Sequence, residues 1–429
     1  MRTCAVATGA LSKASVLPRA SPRMDEISER NNPMFEYALK QYGKALGAMR
    51  KALVDEKQDL RRALIACLLV FCFESYVRNQ VAAISHAQSG VSLLHQWQTS
   101  KKAGTSTSVQ SNSNIEDELI GAFTPLDLQV SIPLDTQELQ FHRLMKDECC
   151  VGLQDMPTIF KRIDEARPWC QLLMRWNYHF RAESMAIGKT QELEMKEVLV
   201  NWEDSMDTPM GNGRNCTPGP KINTVALFPE YRAHGLKTQQ WFTAFEPLFH
   251  ELKSSPHKDL VSAIQLKVQA KMSYVTLASA FFILETGYDV FLPEFRDIVT
   301  LVPSISKVLI AHHSGKRLVY HFNGGFIPPL FLVATKCRDR VSRRQAIALL
   351  YSAPLREGVF DSICVAKISE WIVAIEEEGI DGGEIPDHRR FRVRRSNIDL
   401  PMRKAQLQGT QLRDADDSEL EWKEVVLNW

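Results

Sequence analysis

A chain of 429 residues, 45% of them hydrophobic, exceeds what one small core holds, so one large body or two poorly separated lobes are expected. Its 52 Lys and Arg nearly balance 51 Asp and Glu, which excludes nucleic-acid binding by the surface as a whole, because neutralising phosphates needs a clustered cationic surplus. The longest apolar run, residues 63–73 (ALIACLLVFCF), is about half of a bilayer-spanning helix; it reads as a buried core helix, and no membrane partner is expected. The nine cysteines are scattered, and Cys67, Cys72, Cys337 and Cys364 sit inside apolar runs, which suits reduced, buried thiols in an intracellular compartment.

Residues 1–32 carry Arg2, Lys13, Arg19 and Arg23 with no acid before Asp25 and no apolar period, and are expected to be a disordered N-terminal segment; a mitochondrial transit segment is the alternative. From Phe35 the steps between Phe35, Leu39, Tyr42, Leu46, Met49 and Leu53 alternate between four and three, which predicts an amphipathic helix with Asn32 as N-cap and Pro33 in its first turn. A second helix over 60–78 is apolar all round in its middle. A third over 81–97 puts Ile84, Ala87, Val91 and Leu94 on one face, and short connections make the three antiparallel neighbours. His86, on the third helix, is alone and reads as a packed or surface residue.

Residues 101–116 are expected to be a flexible connector, and 119–134, with Pro125 and Pro133, an irregular apolar crossing. Helix resumes near Thr136 and strengthens over 159–187, where Pro168 is expected to open a new helix bearing Trp169, Trp176 and Tyr178 between layers. The adjacent Cys149 and Cys150 have no partner pair at metal-ligand spacing. Gly188, Lys189 and Thr190 imitate the end of a phosphate-binding loop, but Glu183 stands where its first glycine would be. Residues 207–221 read as a Gly- and Pro-rich surface loop, within which Asn215-Cys216-Thr217 formally matches a glycosylation acceptor.

Residues 259–285 give the longest helical signal, with Val261, Ile264, Val268, Met272, Val275 and Phe282 on one side of a central helix. Pro293 and Pro303 suggest a broken helix pair over 291–310, and His312 and His313 fall in a turn without metal-site spacing. In 326–378, Pro328 and Pro329 preset the first turn of a helix. Arg343 and Arg344 read as solvated ends of a short helix, Asp361 as an N-cap, and Cys364, Ile368, Trp371 and Ile375 as the buried stripe of a closing helix. Gly379 to Pro386 is a turn-rich break. His388 to Arg395 (HRRFRVRR) alternates and reads as an edge strand carrying protective arginines, with a nuclear-localisation or nucleic-acid patch as the alternative. In 414–429, Leu420, Trp422, Val425, Leu427 and Trp429 are interspersed with acids; a coactivator-binding segment and a terminal helix docked on the body both fit.

The strings FIPPLFLVATKCRD, RRQAIALL and REGVFDSICVAKISEWIVAIEEE resemble the C-terminal signature of fungal binuclear zinc-cluster transcription factors. ALKQYGKALGAMRKAL and ALIACLLVFCFESYVRNQVAAISHAQSGVSLL resemble the start of the same family's helical regulatory region. The resemblance implies an all-α fold of packed antiparallel helices: a regulatory domain over 33–395, a disordered N-terminus before it and a short irregular acidic-hydrophobic tail over 396–429. It implies a nuclear regulator of RNA polymerase II genes that works through the transcription machinery or coactivators, with a homo- or hetero-dimer of family members as a further partner. The family's six-cysteine zinc module has no counterpart, since only Cys4 precedes Cys67, so no metal-ligating residue is carried over. DNA is expected as a partner only if such a module precedes this sequence. No catalytic residue and no cofactor is expected; a mitochondrial or cytosolic enzyme using a helical cavity, or a degenerate inhibitory partner of intact factors, is the alternative.

Overall fold

The computed structural model describes residues 2–14, 32–54, 60–102, 117–131, 137–203, 224–254, 258–282, 284–312, 319–322, 325–352, 355–412 and 420–429. Of the expected connector over 101–116, residues 101–102 are helical and 103–116 lie outside these residues, as do the loop over 207–221 with its Asn215-Cys216-Thr217, and His313. The described chain is mostly helical, with two small three-stranded sheets.

The N-terminal helices are α1 (Arg2–Ala14), α2 (Pro33–Val54), α3 (Leu60–Tyr76), α4 (Gln80–Lys102) and α5 (Asp117–Ser131). Asn32 Oδ1 accepts from the Met34 N–H at 2.9 Å, so the predicted cap forms. The buried face of α2 is Ala38, Tyr42 and Ala45, with Phe35, Leu46 and Met49 packed beside it, whereas Leu39 is 44% exposed. Phe35, Tyr42, Leu46 and Met49 thus lie where the row predicts, and Ala38 and Ala45, not Leu39, complete the face against α1. Residues 2–14 are not disordered: Cys4, Ala7 and Leu11, at helical spacing, are buried against α2 and α3. Small side chains conceal this face from a hydrophobicity count but let two helices approach closely. The all-round apolarity of α3 has an equally direct cause. Leu64 and Phe71 enter a cluster with Ala83, Ile84, Ala87 and Leu94 of α4 and with Phe123 and Leu126 of α5, while Val70 and Phe73 enter the other cluster with α1 and α2. The expected irregular crossing is helical over α5 despite Pro125, since burial of Phe123, Leu126 and Leu128 outweighs one missing N–H bond.

The central helices are α6 (Leu139–Gly152), α7 (Ile163–Glu203), α8 (Thr224–Ser254), α9 (Leu260–Ala278) and α10 (Leu292–His312). Pro168 opens no new helix; it lies in the second turn of α7. The expected central helix is α9, which packs against α7, α8 and α10 and buries Ile264, Leu266, Val268 and Val275. It stops at Ala278 in a 3₁₀ turn, Ser279–Phe281, which leaves Phe282 beyond its end. The predicted break over 291–310 is absent: Pro293 occupies the first turn of α10, and Pro303 is held inside it while Phe295, Ile298 and Val302 anchor the helix in the largest core.

The C-terminal part contains β1 (Val319–His321), α11 (Ile327–Lys336), α12 (Arg340–Ser352), β2 (Leu355–Glu357), β3 (Phe360–Asp361) and α13 (Ser362–Glu377). Strand β1 pairs parallel with β2, and β2 pairs antiparallel with β3. Beyond α13 the chain forms β4 (Arg392–Asp399), β5 (Lys404–Leu412) and β6 (Leu420–Asn428), an antiparallel sheet in that order. The all-α expectation therefore holds in the main, with two small sheets added to it, whereas the irregular tail is overturned: neither a free segment nor a helix occupies 420–428. The physical signal is a period of two: Ala405, Leu407, Val425 and Leu427 face Cys364, Ile368 and Ile372 of α13, while Trp422 and Val426 face outward. Strand β4 lies at the sheet edge, as its alternating arginines predict.

Candidate functional site

The most developed polar constellation surrounds α11. Its sequence, IPPLFLVATK, supplies apolar contacts and no charge before Lys336, yet both of its ends are buried and need partners. At the N-terminal end the Glu357 carboxylate accepts from the N–H groups of Gly325, Phe326 and Ile327 at 2.9, 2.8 and 2.9 Å. Gly325 permits this approach, because a Cβ there would lie 2.3 Å from Glu357 Oε1. Burial pushes the Glu357 carboxyl up to about 7, against the pull of those three donors.

At the C-terminal end Arg343 Nε donates to the Ala334 carbonyl at 2.9 Å, and Arg390 Nη2 donates to those of Thr335 and Lys336 at 2.7 and 3.1 Å. Both guanidiniums form ion pairs with Glu376, at 2.7 Å from Arg343 and 3.0 Å from Arg390. Glu376 also accepts from the Phe391 N–H at 2.9 Å, which ties α13 to the start of the C-terminal sheet. An anion at the N-terminus of α11 and cations at its C-terminus match the helix dipole. The solvated arginine pair expected at 343 and 344 is thus corrected for one member. Arg343 is fully buried, while Arg344 stays exposed and pairs with Glu377 at 2.6 Å. The buried carbonyls of Ala334, Thr335 and Lys336 at the helix end draw the buried arginines inward.

A second polar group lies between α7, α8 and α9. His234, fully buried, donates from Nδ1 to Asn177 Oδ1 at 3.0 Å and stacks on Trp176 with ring centroids 3.5 Å apart. Asn177 Nδ2 reaches Thr238 and Ser273 at 3.2 and 3.1 Å. Burial, with Lys146 a smaller cause, holds the His234 imidazole down to about 3, so it is neutral. Nearby, Lys146 joins Glu183 at 2.5 Å and Glu230 at 2.6 Å, and His142 and His179 meet through their Nδ1 atoms at 3.0 Å. Glu183, which displaces the glycine of the apparent phosphate loop, is thus an ion-pair acceptor in a continuous helix.

A surface cleft of about 440 Å³ between α8, α9 and α10 is lined by Glu246, Phe249, His250, Lys267 and Asp297. Lys267 sits 2.7 Å from Glu246 and 3.9 Å over the Phe249 ring, and Lys271 pairs with Asp297 at 2.8 Å, so its charges are internally balanced.

Cys149 is buried and Cys150 exposed on α6, both as free thiols. Burial raises Cys149 and Cys170 to about 12 and Cys72 and Cys337 to about 11, which disfavours the nucleophilic thiolate. Cys4 packs inside the α1–α2 cluster and Cys67 lies on α3, an arrangement that does not fit a zinc-cluster module. Among the described residues no group of three or more His, Cys, Asp or Glu is placed to hold a metal ion, and no helix is long and apolar enough to cross a membrane. His86 lies half-buried on α4. Glu357, Arg356, His234 and Asn177 escape a sequence reading because their partners lie far along the chain and no motif spacing marks them. No family model, curated protein or solved structure matches the chain.

Proposed function

We propose that the chain is the regulatory region of a nuclear transcription regulator of RNA polymerase II genes, acting through contacts with coactivators or the transcription machinery rather than by catalysis. One observation carries the reading: the two stretches that resemble zinc-cluster regulators, far apart in sequence, are joined directly in space. Arg356 donates to the Tyr76 carbonyl at 2.6 Å, and Gln80 donates to the Val359 carbonyl at 3.1 Å; each bond links one stretch to the other. The polar groups around them are absorbed in capping helices and pairing charges, which is the chemistry of a scaffold.

Fusion of the whole chain to an unrelated DNA-binding domain tests the reading. A change in reporter transcription is the expected result, and unchanged output across several promoters argues against it. Sequence-specific binding of duplex DNA by the unfused, purified chain would overturn the part of the reading in which it lacks a DNA reader.

A further inference from the structure

Arg356 and Glu357 are neighbours in β2, both almost completely buried, and a strand sends successive side chains to opposite faces. The cation meets the C-terminal carbonyls of α3, donating to Tyr76 at 2.6 Å and reaching Ser75 at 3.5 Å, while the anion meets the N-terminal N–H groups of α11. Arg356 also pairs with Asp361 at 3.3 Å, and Asp361 accepts from the Ile363 and Cys364 N–H groups to cap α13. Three helix ends therefore terminate on one short hairpin, each on the sign of charge that its dipole favours.

Two more helices reach the same hairpin. Gln80 of α4 donates to the Val359 carbonyl at 3.1 Å, and Gln129 of α5 donates to the Phe322 carbonyl at 3.0 Å while its Oε1 lies against Gly358. Val359 belongs to the α3–α4–α5 core, Leu355 packs against the central core, and Phe360 packs against both. If one of these helices separates from the hairpin, it leaves bare helix-end groups in a dry interface, so releasing one alone costs more per contact than releasing them together.

We propose that the β2–β3 hairpin is a conformational coupler, through which the N-terminal helices α3–α5 and the C-terminal unit α11–α13 dock and release as one cooperative event. The coupling belongs to the fold and holds whatever the chain regulates.

Hydrogen exchange of the full-length chain, read by mass spectrometry, tests it with substitutions that touch one side at a time. Glu357→Gln weakens only the cap on α11. It should speed exchange about tenfold or more both at the Gly325, Phe326 and Ile327 amides that it caps and in the amides around Tyr76 to Ala83, which it does not contact. Gln80→Ala, which removes one bond on the α4 side and is the gentler change should Glu357→Gln fail to fold, should speed exchange at the start of α11. Arg344→Gln, which removes only an exposed pair, should leave both regions unchanged. Faster exchange confined to the substituted side in either hairpin variant would overturn the coupling.

Discussion

His234 is held far from its ordinary state by burial. Its imidazole is held neutral to about 3, whereas in the unfolded chain it takes a proton near its ordinary 6.5. The depressed folded value sets the sign. Above pH 6.5 both states are neutral and the full stability is present; as pH falls from 6.5 towards 3 the unfolded chain gains the proton first, and about 1.4 kcal/mol is lost per pH unit. Urea unfolding at pH 7, 5.5 and 4.5 should give a steeper decline for the wild type than for His234→Phe, with the difference amounting to about one proton. Arg343 and Arg344 offer a second contrast between adjacent residues. Arg343→Met leaves Glu376 buried with a single cationic partner, Arg390, and should cost about 3–5 kcal/mol. Arg344→Ala removes an exposed pair and should cost under about 1 kcal/mol, measured by the same unfolding experiment.

At the scale of elements, the sequence reveals what depends on local chemistry. Asn32 and Asp361 are legible as caps because the preference arises within a few bonds, and the helical spacing of Ile84, Ala87 and Leu94 is legible because one face of α4 meets one core. What depends on distant partners is not. Helix α1 is invisible because its buried face is built from Cys4, Ala7 and Leu11, and α10 continues through Pro303 because its neighbours hold it. The C-terminal strands are masked because their inward residues are few and Val426, between Val425 and Leu427, faces outward and blurs the alternation. Of the polar sites, only the caps were readable; Glu357 and His234 acquire their roles from groups far along the chain. Gly358 illustrates the same limit. Its φ of +54° is an ordinary glycine conformation, but a Cβ would also fall 1.9 Å from Gln129 Oε1. Gly358→Ala should therefore lose at least about 1–2 kcal/mol of stability, seen as a lower Tm in calorimetry.

The whole molecule is held by several distinct hydrophobic clusters rather than one, and their boundaries predict where truncation will hurt. Removing residues 1–14 would uncover Ala38, Tyr42, Ala45, Val70 and Phe73, which form one cluster with α1. Such a chain should aggregate more readily and melt at a lower temperature than the full length, checked by light scattering and calorimetry, whereas a disordered stump could be removed without effect.

The bond from Arg356 to the Tyr76 carbonyl spans 280 positions of sequence. On a ribosome that adds about 5–20 residues per second, the end of α3 is made roughly 15–60 seconds before the arginine that caps it. For that interval Leu64 and Phe71 await Val359, the last buried member of their cluster, and the Tyr76 carbonyl awaits its arginine. The newborn N-terminal half should therefore bind a chaperone that shields apolar helices, and pull-down of ribosome-stalled chains should show that binding fall once the stall lies well beyond the hairpin.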